Sequence, residues 1–274
     1  MHMDNALNQF YAVADILQKS FKSKPMVVCI GAYNHGKSSL LNALTKNYDD
    51  SRFKVADKRE TTENKSYEYE GIIYTDTPGL NATSEDDICA LNAVLNSDVN
   101  IFVHSQNEGE LSKKEIDYLI RLLDFSCTKK MLIDKTIFVM NHVEDLSDEE
   151  IDNAKQRFIE QIDEVFGLKP VLFVTKTTSY TKAMRENKAI LAKQSGLEEI
   201  KEMILKFCEY ETVEYRRKKH LLLVYNKIIN LLQQKLKTNS MAINDEKAKN
   251  RLVISEINQM MQGIENIKTK LKPY

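Results

Sequence analysis

Gly31-Ala32-Tyr33-Asn34-His35-Gly36-Lys37-Ser38 follows the apolar run Met26 to Ile30 and opens a helical period carrying Leu40, Leu41 and Leu44. Strand, glycine-bearing turn and helix start, in that order, form the context in which G-x-x-x-x-G-K-[ST] cradles a phosphate chain. Glycines let backbone N–H groups turn inward, and a helix N-terminus favours an anion. The pattern alone should arise by chance in on the order of one chain in a hundred of this length, so a turn without a ligand is the weaker reading. Lys37 would moreover stand at a helix start, where the dipole disfavours a cation unless an anion is present. Tyr33, Asn34, His35, Gly36 and Ser39 are therefore expected around a nucleotide, with Lys37 at the outer phosphates and Ser38 on Mg2+.

Outward from this turn, further strand-like runs are Ser66 to Glu70, Ile72 to Asp76, Asn100 to Ser105, Thr136 to Met140 and Val171 to Thr175. Most are continuous Val/Ile/Phe runs of the kind buried on both faces of a sheet. Helical periods lie between them: Lys37 to Thr45, Glu85 to Leu95, Ser112 to Phe125, Asp148 to Phe166 and Leu197 to Phe207. Strands alternating with helices predict an α/β fold with a doubly wound, mostly parallel, six-stranded sheet. The tight Glu70-Gly71 connection makes the second and third strands a hairpin, so one antiparallel edge strand is expected.

Asp76-Thr77-Pro78-Gly79 ends the third strand. A carboxylate at a strand tip beside the phosphate loop can hold a magnesium-bound water, and the Gly79 N–H can face the terminal phosphate. Thr61-Thr62 lies in the polar loop between, where a hydroxyl can reach the metal; Thr62 is the preferred ligand, and an exposed threonine pair is the alternative. After the fifth strand comes Asn141-His142-Val143-Glu144, where guanine-specific proteins carry [NT]KxD. A carboxylate accepts N1–H and N2–H of guanine together, and adenine offers no such pair. Glu144 can make both bonds, His142 can stack on the base in place of a lysine stem, and Asp145 is a second candidate acceptor. Thr175 and Lys176, at the tip of the last strand, would complete the base pocket.

The 274 residues are 42% apolar, enough for a core, and only 8 Gly and 4 Pro favour long helices over a loop-rich sandwich. No apolar run approaches the roughly 20 residues that span a bilayer, and no cationic start precedes one. Cys29, Cys89, Cys127 and Cys208 lie far apart without a CxxC, against cysteine-bound zinc or a disulfide framework. A net charge of -1 hides an asymmetry: residues 212–274 hold 13 Lys/Arg against 5 Asp/Glu, leaving 26 against 35 before them. Three segments carry seams at spacings of three and four, the stripe by which helices pack on helices: Leu7 to Phe21, Leu222 to Leu236 and Val253 to Leu271. The polar stretch Lys237 to Glu246 between the last two predicts a reversal. The expected organisation is an N-terminal helix (4–24), a nucleotide domain (25–210) and a C-terminal helical hairpin (211–274), with the helices forming a bundle or simply capping the domain.

Together these motifs resemble the P-loop GTPase superfamily over roughly residues 25–210, and more closely its dynamin-like and Era-like members. GAYNHGKSSLLNAL is similar to their first motif and DTPGLNAT to their third; Asn100 through Glu110-Leu111 to Leu119 is similar to the strand, acidic turn and helix that follow in bacterial dynamin-like proteins. The resemblance implies hydrolysis of GTP to GDP and phosphate with Mg2+ held by Ser38, Thr62 and Asp76. Lys37, Thr62, Gly79 and Asn34 would serve catalysis. Leu80 stands where small signalling GTPases place a water-orienting Gln, which implies slow intrinsic turnover. Asn34 matches the asparagine with which potassium-activated members bind K+, or else it stabilises the loop turn. By the same resemblance the chain is expected to form a GTP-dependent homodimer. The dispersed cysteines fit a reducing cytoplasm, and the basic C-terminal helices offer a surface for peripheral contact with the inner membrane face, with a purely structural bundle as the other reading. A nucleotide sensor with negligible hydrolysis and an RNA- or ribosome-associated GTPase are the alternatives.

Overall fold

The computed structural model describes residues 7, 8, 10–12, 14, 23–53, 64–79, 90, 93, 94, 97–126 and 128–270. Thr61, Thr62 and Leu80 lie outside the described residues, as does most of the N-terminal seam and of the helix expected over Glu85 to Leu95. In chain order the elements are β1 (Met26–Ile30), α1 (Lys37–Leu44), β2 (Lys65–Tyr69), β3 (Ile72–Asp76), β4 (Val99–Ser105), α2 (Lys113–Ser126), α3 (Lys129–Asp134) and β5 (Thr136–Asn141). There follow α4 (Asp148–Phe166), β6 (Val171–Val174), α5 (Thr177–Arg185), α6 (Ala189–Lys193), α7 (Leu197–Phe207) and α8 (Tyr210–Lys270).

The six strands form one sheet in the order β2-β3-β1-β4-β5-β6. Every pairing is parallel except β2 with β3, the hairpin expected from Glu70-Gly71. All seven residues of β4 are buried, as the middle of a sheet covered on both faces requires. Alternate residues of the strands point to two apolar clusters. Val27, Cys29, Ile101, Val103, Ile137 and Val139 meet α1 and α7, whereas Val28, Ile30, Phe102, Phe138 and Met140 meet α2, α3 and α4. The bounds of α4 follow from its ends. Ser147 and Glu150 form a reciprocal capping box, and Gly167 closes the helix in the left-handed conformation at φ 67°.

The chain packs as two units, residues 10–225 and residues 226–274 with 1–9. In the second, the expected reversal over Lys237 to Glu246 is absent: those ten residues are helical within α8. Polar composition was the only signal for a turn. The stretch holds neither Gly nor Pro, and Lys, Met, Ala and Glu are good helix formers, so nothing stops the helix. The C-terminal region is one helix over the described residues, not a hairpin. Its seam stays exposed at Ile229, Leu232, Leu236, Ile243, Val253, Ile257 and Met260. No helix among the described residues is long and apolar enough to cross a membrane.

In the first unit, the opening turns of α8 are held beneath the sheet by a buried ion pair. Arg217 donates from Nε to Asp98 Oδ1 at 2.7 Å and from Nη2 to Asp98 Oδ2 at 2.6 Å, and further to the carbonyls of Ser23 and Lys24. The Met26 N–H donates to the same Asp98 carboxylate at 2.9 Å. Arg216 is likewise turned inward, onto the Phe207 carbonyl, so only the lysines of the run Arg216 to Lys219 are left facing solvent. Removing one partner of a buried, hydrogen-bonded ion pair leaves the other charge uncompensated. Arg217→Ala is expected to lower stability by about 3–5 kcal/mol in urea unfolding, and Asp98→Asn/Arg217→Met to recover part of that loss.

Candidate functional site

The turn between β1 and α1 is possible only with glycine at two positions. A Cβ on Gly31 would fall 2.2 Å from the Val103 carbonyl oxygen of β4. Gly36 is left-handed at φ 89°, and a Cβ there would meet Asn141 Nδ2 at 2.2 Å. Asn34, at φ 62°, provides the other left-handed step. The loop is thus wedged against the tips of β4 and β5, and Asn141 clasps it by donating from Nδ2 to the His35 carbonyl at 3.2 Å. Behind it, Lys37 is buried and donates from Nζ to the Ala32 carbonyl at 2.9 Å, an arrangement that folds its ammonium over the loop.

Ser38 Oγ donates to Asp76 Oδ2 at 2.6 Å, which joins the start of α1 to the tip of β3. Asp76 Oδ1 is buried without a partner. Burial pushes the Asp76 carboxyl above its usual range against the pull of Lys37 and Ser38, and burial likewise lowers the Lys37 ammonium. A hydroxyl, a carboxylate oxygen with a free lone pair and a nearby lysine fit a hydrated divalent cation of the magnesium kind. Gly79 passes directly under the loop, since a Cβ on it would stand 2.8 Å from Tyr33 Cα. Tyr33 and Asn34 are exposed at the outer rim, and Ser39 is half-buried in the first turn of α1.

At the other end of the loop, His142 is left-handed at φ 58° and its Nδ1 lies 2.8 Å from Ser105 Oγ. Its Nε2 stands 3.3 Å from the position of a Cβ on Gly36, so the ring lies beside the phosphate loop. Burial lowers the His142 pKa, with Glu144 opposing, which keeps a neutral ring there. Thr175 is buried, and its N–H donates to the Met140 carbonyl. Lys176 caps α5 and donates its N–H to Ser195, beside Gly196, whose absent Cβ leaves room for the Val174 carbonyl. Three side-chain oxygens here have no partner although they are buried: Asn141 Oδ1, Glu144 Oε1 and Thr175 Oγ1. Buried polar atoms ordinarily find a partner, so three such oxygens at or just past the ends of β5 and β6 make this edge of the sheet a candidate ligand site.

A model of the family described as 50S ribosome-binding GTPase matches residues 26–177. The chain belongs to that GTPase family. An uncharacterised protein of Acinetobacter baylyi is 30% identical over 199 residues, which are 71% of this chain and 44% of that one. Among solved structures, a member of an oligomerised bacterial dynamin pair described as sensing and tethering membranes covers 98% of this chain and 62% of its own, at 15% identity and TM-score 0.55. The LeoA bacterial dynamin GTPase from ETEC covers 85% of this chain and 48% of its own, at 14% identity and TM-score 0.51. The GTPase described here thus spans less than two thirds of these relatives.

Sequence reasoning missed two residues that shape the site, Ser105 against His142 and His104 beneath His35. A polar residue inside a strand of seven buried positions was the available signal, because such a group needs a partner. Substituting Gly36 tests the wedge directly. Gly36→Ala combines a left-handed strain of about 1–3 kcal/mol with a clash on Asn141. It is expected to lower the urea midpoint and abolish nucleotide binding while far-ultraviolet circular dichroism stays helical.

Proposed function

We propose that this GTPase binds GTP with Mg2+ and hydrolyses it to GDP and phosphate. The observation that supports the reading is the set of four buried, unpartnered oxygens on Asp76, Asn141, Glu144 and Thr175, residues at or just past the C-terminal ends of β3, β5 and β6, the sheet edge at which β1 also leads into the phosphate loop. Each would face a donor of a family ligand. Asp76 Oδ1 suits a water on magnesium, Glu144 Oε1 suits guanine N1–H or N2–H, and Asn141 and Thr175 suit the rest of the base edge. Ser38 and Asp76, with Thr62, would hold Mg2+, which neutralises charge on the phosphates when bound. Lys37 supports the outer phosphates, Gly79 supplies an N–H to the terminal one, and the backbone of residues 33–39 lines the rest. His142 and Lys176 flank the base. Residues 25–210 serve as the hydrolytic domain, with residues 4–24 and 211–274 as its helical partner.

Base selectivity provides the first test. Fluorescent nucleotide titration should show guanine nucleotides bound roughly 100-fold or more tightly than adenine nucleotides, since a polar site rejects a ligand that leaves it unpaired. Glu144→Gln should collapse that preference and Lys37→Ala should remove tight binding of both. Equal affinity for both bases would replace this reading with an unselective nucleotide binder.

Completion of the site is proposed to come from a second copy, which would order the loop around Thr62 and exclude water from the phosphates. K+ held by Asn34 would add positive charge there. Turnover per molecule should then rise with protein concentration, and more in potassium than in sodium. A flat specific activity with no GTP-dependent dimer in light scattering would favour the sensor reading. Peripheral membrane contact would fall to Lys218, Lys219 and the later lysines, because Arg216 and Arg217 are engaged internally.

A further inference from the structure

His35 of the phosphate loop, His104 of β4 and Glu115 of α2 are buried together, with one potential ligand atom from each lying within 4.8 Å of the others. His35 Nδ1 stands 3.6 Å from Glu115 Oε1, and His104 Nδ1 stands 2.9 Å from the same oxygen. The two rings meet edge to face at 5.5 Å. We propose that these three side chains form a zinc-type site, with His35 Nδ1, His104 Nδ1 and Glu115 Oε1 as ligands to a first-row divalent cation.

Two of the three side chains, His104 and Glu115, are also held from behind. A metal-binding histidine ordinarily donates its other N–H to a carbonyl or carboxylate, and a ligating carboxylate is itself hydrogen-bonded. His104 Nε2 lies 2.9 Å from the Gly109 carbonyl, so Nδ1 is left pointing at the cluster. Glu115 Oε2 accepts from Ser112 N–H at 2.9 Å and from Ser112 Oγ at 2.8 Å, so Oε1 is left pointing at the same place. Glu115 is thereby the inward half of the capping of α2, fixed before any metal arrives. Zinc bonds of about 2.0–2.2 Å put tetrahedral ligand atoms about 3.4 Å apart, close to the His35–Glu115 separation and half an ångström wider than the His104–Glu115 one. Two imidazoles and one carboxylate suit zinc, and three protein ligands leave a fourth position open.

His104 faces a carboxylate and a carbonyl, both acceptors, so each of its nitrogens carries hydrogen. Binding releases the Nδ1 proton of His104 to solvent. The proton of His35 moves from Nδ1, where it donates to the Val103 carbonyl at 3.2 Å, to Nε2. Affinity therefore falls as pH falls. A metal here ties the phosphate loop, through His35, to the end of β4 and the first turn of α2, and neither Cys29 nor Cys208 belongs to the cluster.

The test uses the full chain, stripped of nucleotide and metal, titrated with Co2+ by visible absorption and with Zn2+ against a chromophoric chelator. One equivalent is expected, with the intense bands of low-coordinate Co2+, and Asp76→Asn should bind equally, which separates this site from the magnesium carboxylate. Ser112→Ala should weaken binding roughly 10–100-fold as an outer-sphere change, and Glu115→Gln, which keeps the cap, should weaken it more. Absence of saturable binding by the unchanged chain would leave only a protonated His104–Glu115 pair and overturn the proposal. Equal binding by Glu115→Gln would overturn it too, by placing the cation elsewhere.

Discussion

The close approach of the β1–α1 turn to the tips of β4 and β5 is the constraint on which the site depends. Val103 and Asn141 occupy the space that side chains on Gly31 and Gly36 would need. With that space filled by backbone and by an amide, the turn is pressed onto the sheet edge at the start of α1, the setting in which backbone N–H groups can gather around an anion. Because Asn141 both clasps the loop and belongs to the proposed base motif, phosphate recognition and base recognition would rest on one scaffold. A shift of the β5 tip cannot alter one without altering the other.

Electrostatics in the ligand-free site run against comfort. Lys37 and Asp76 are both buried, and burial drives the lysine down and the carboxyl up, toward their neutral forms. Their mutual attraction and the Ser38 hydroxyl offset part of this. On the proposed reading, a triphosphate beside Lys37 and a cation beside Asp76 would each restore the charged form of the group they face. The site would then take up charge in complementary pairs, the condition under which a nucleotide and its metal arrive together.

Much of this was legible in the sequence where a local rule was also the deciding one. Asp148–Phe166 is bounded by a capping box and a glycine, both readable as letters, and the predicted and observed helix agree at each end. β3 to β6 agree within one residue because apolar runs rich in Val, Ile and Phe between turn residues have few other readings, and β2 agrees as closely because the Glu70-Gly71 turn fixes it against β3. Three helices escaped notice: Lys129–Asp134, Thr177–Arg185 and Ala189–Lys193. The first and third are a turn or two long, too short to show a period, and the second opens Thr-Thr-Ser, residues that favour caps and turns. α8 failed in the opposite sense. A polar run between two seams reads as a reversal, although helix continuity is decided by the absence of a breaker and not by the presence of apolar residues. His104 and Glu115 were invisible because their pairing is made by tertiary structure, a strand end meeting the first turn of the next helix.

β4 connects these features physically. At its start, Asp98 receives Arg217 from α8 and the N–H of Met26; at its end, His104 and Ser105 hold Glu115 and His142. Seven residues of strand span about 23 Å, and this one is paired on both sides and buried on both faces, so it has no slack in which to absorb a local displacement. Close-packed elements of this kind move as bodies and do not stretch. If hydrolysis alters what His142 and the phosphate loop touch, the change can reach the Asp98–Arg217 pair only as a tilt or slide of β4 together with its neighbours. A paired, buried charge responds to such a move steeply, because a few tenths of an ångström at a 2.6 Å bidentate contact cost more than the same shift between apolar side chains. The pair is thus placed where a small change at the nucleotide end would be felt most strongly by the first turns of α8.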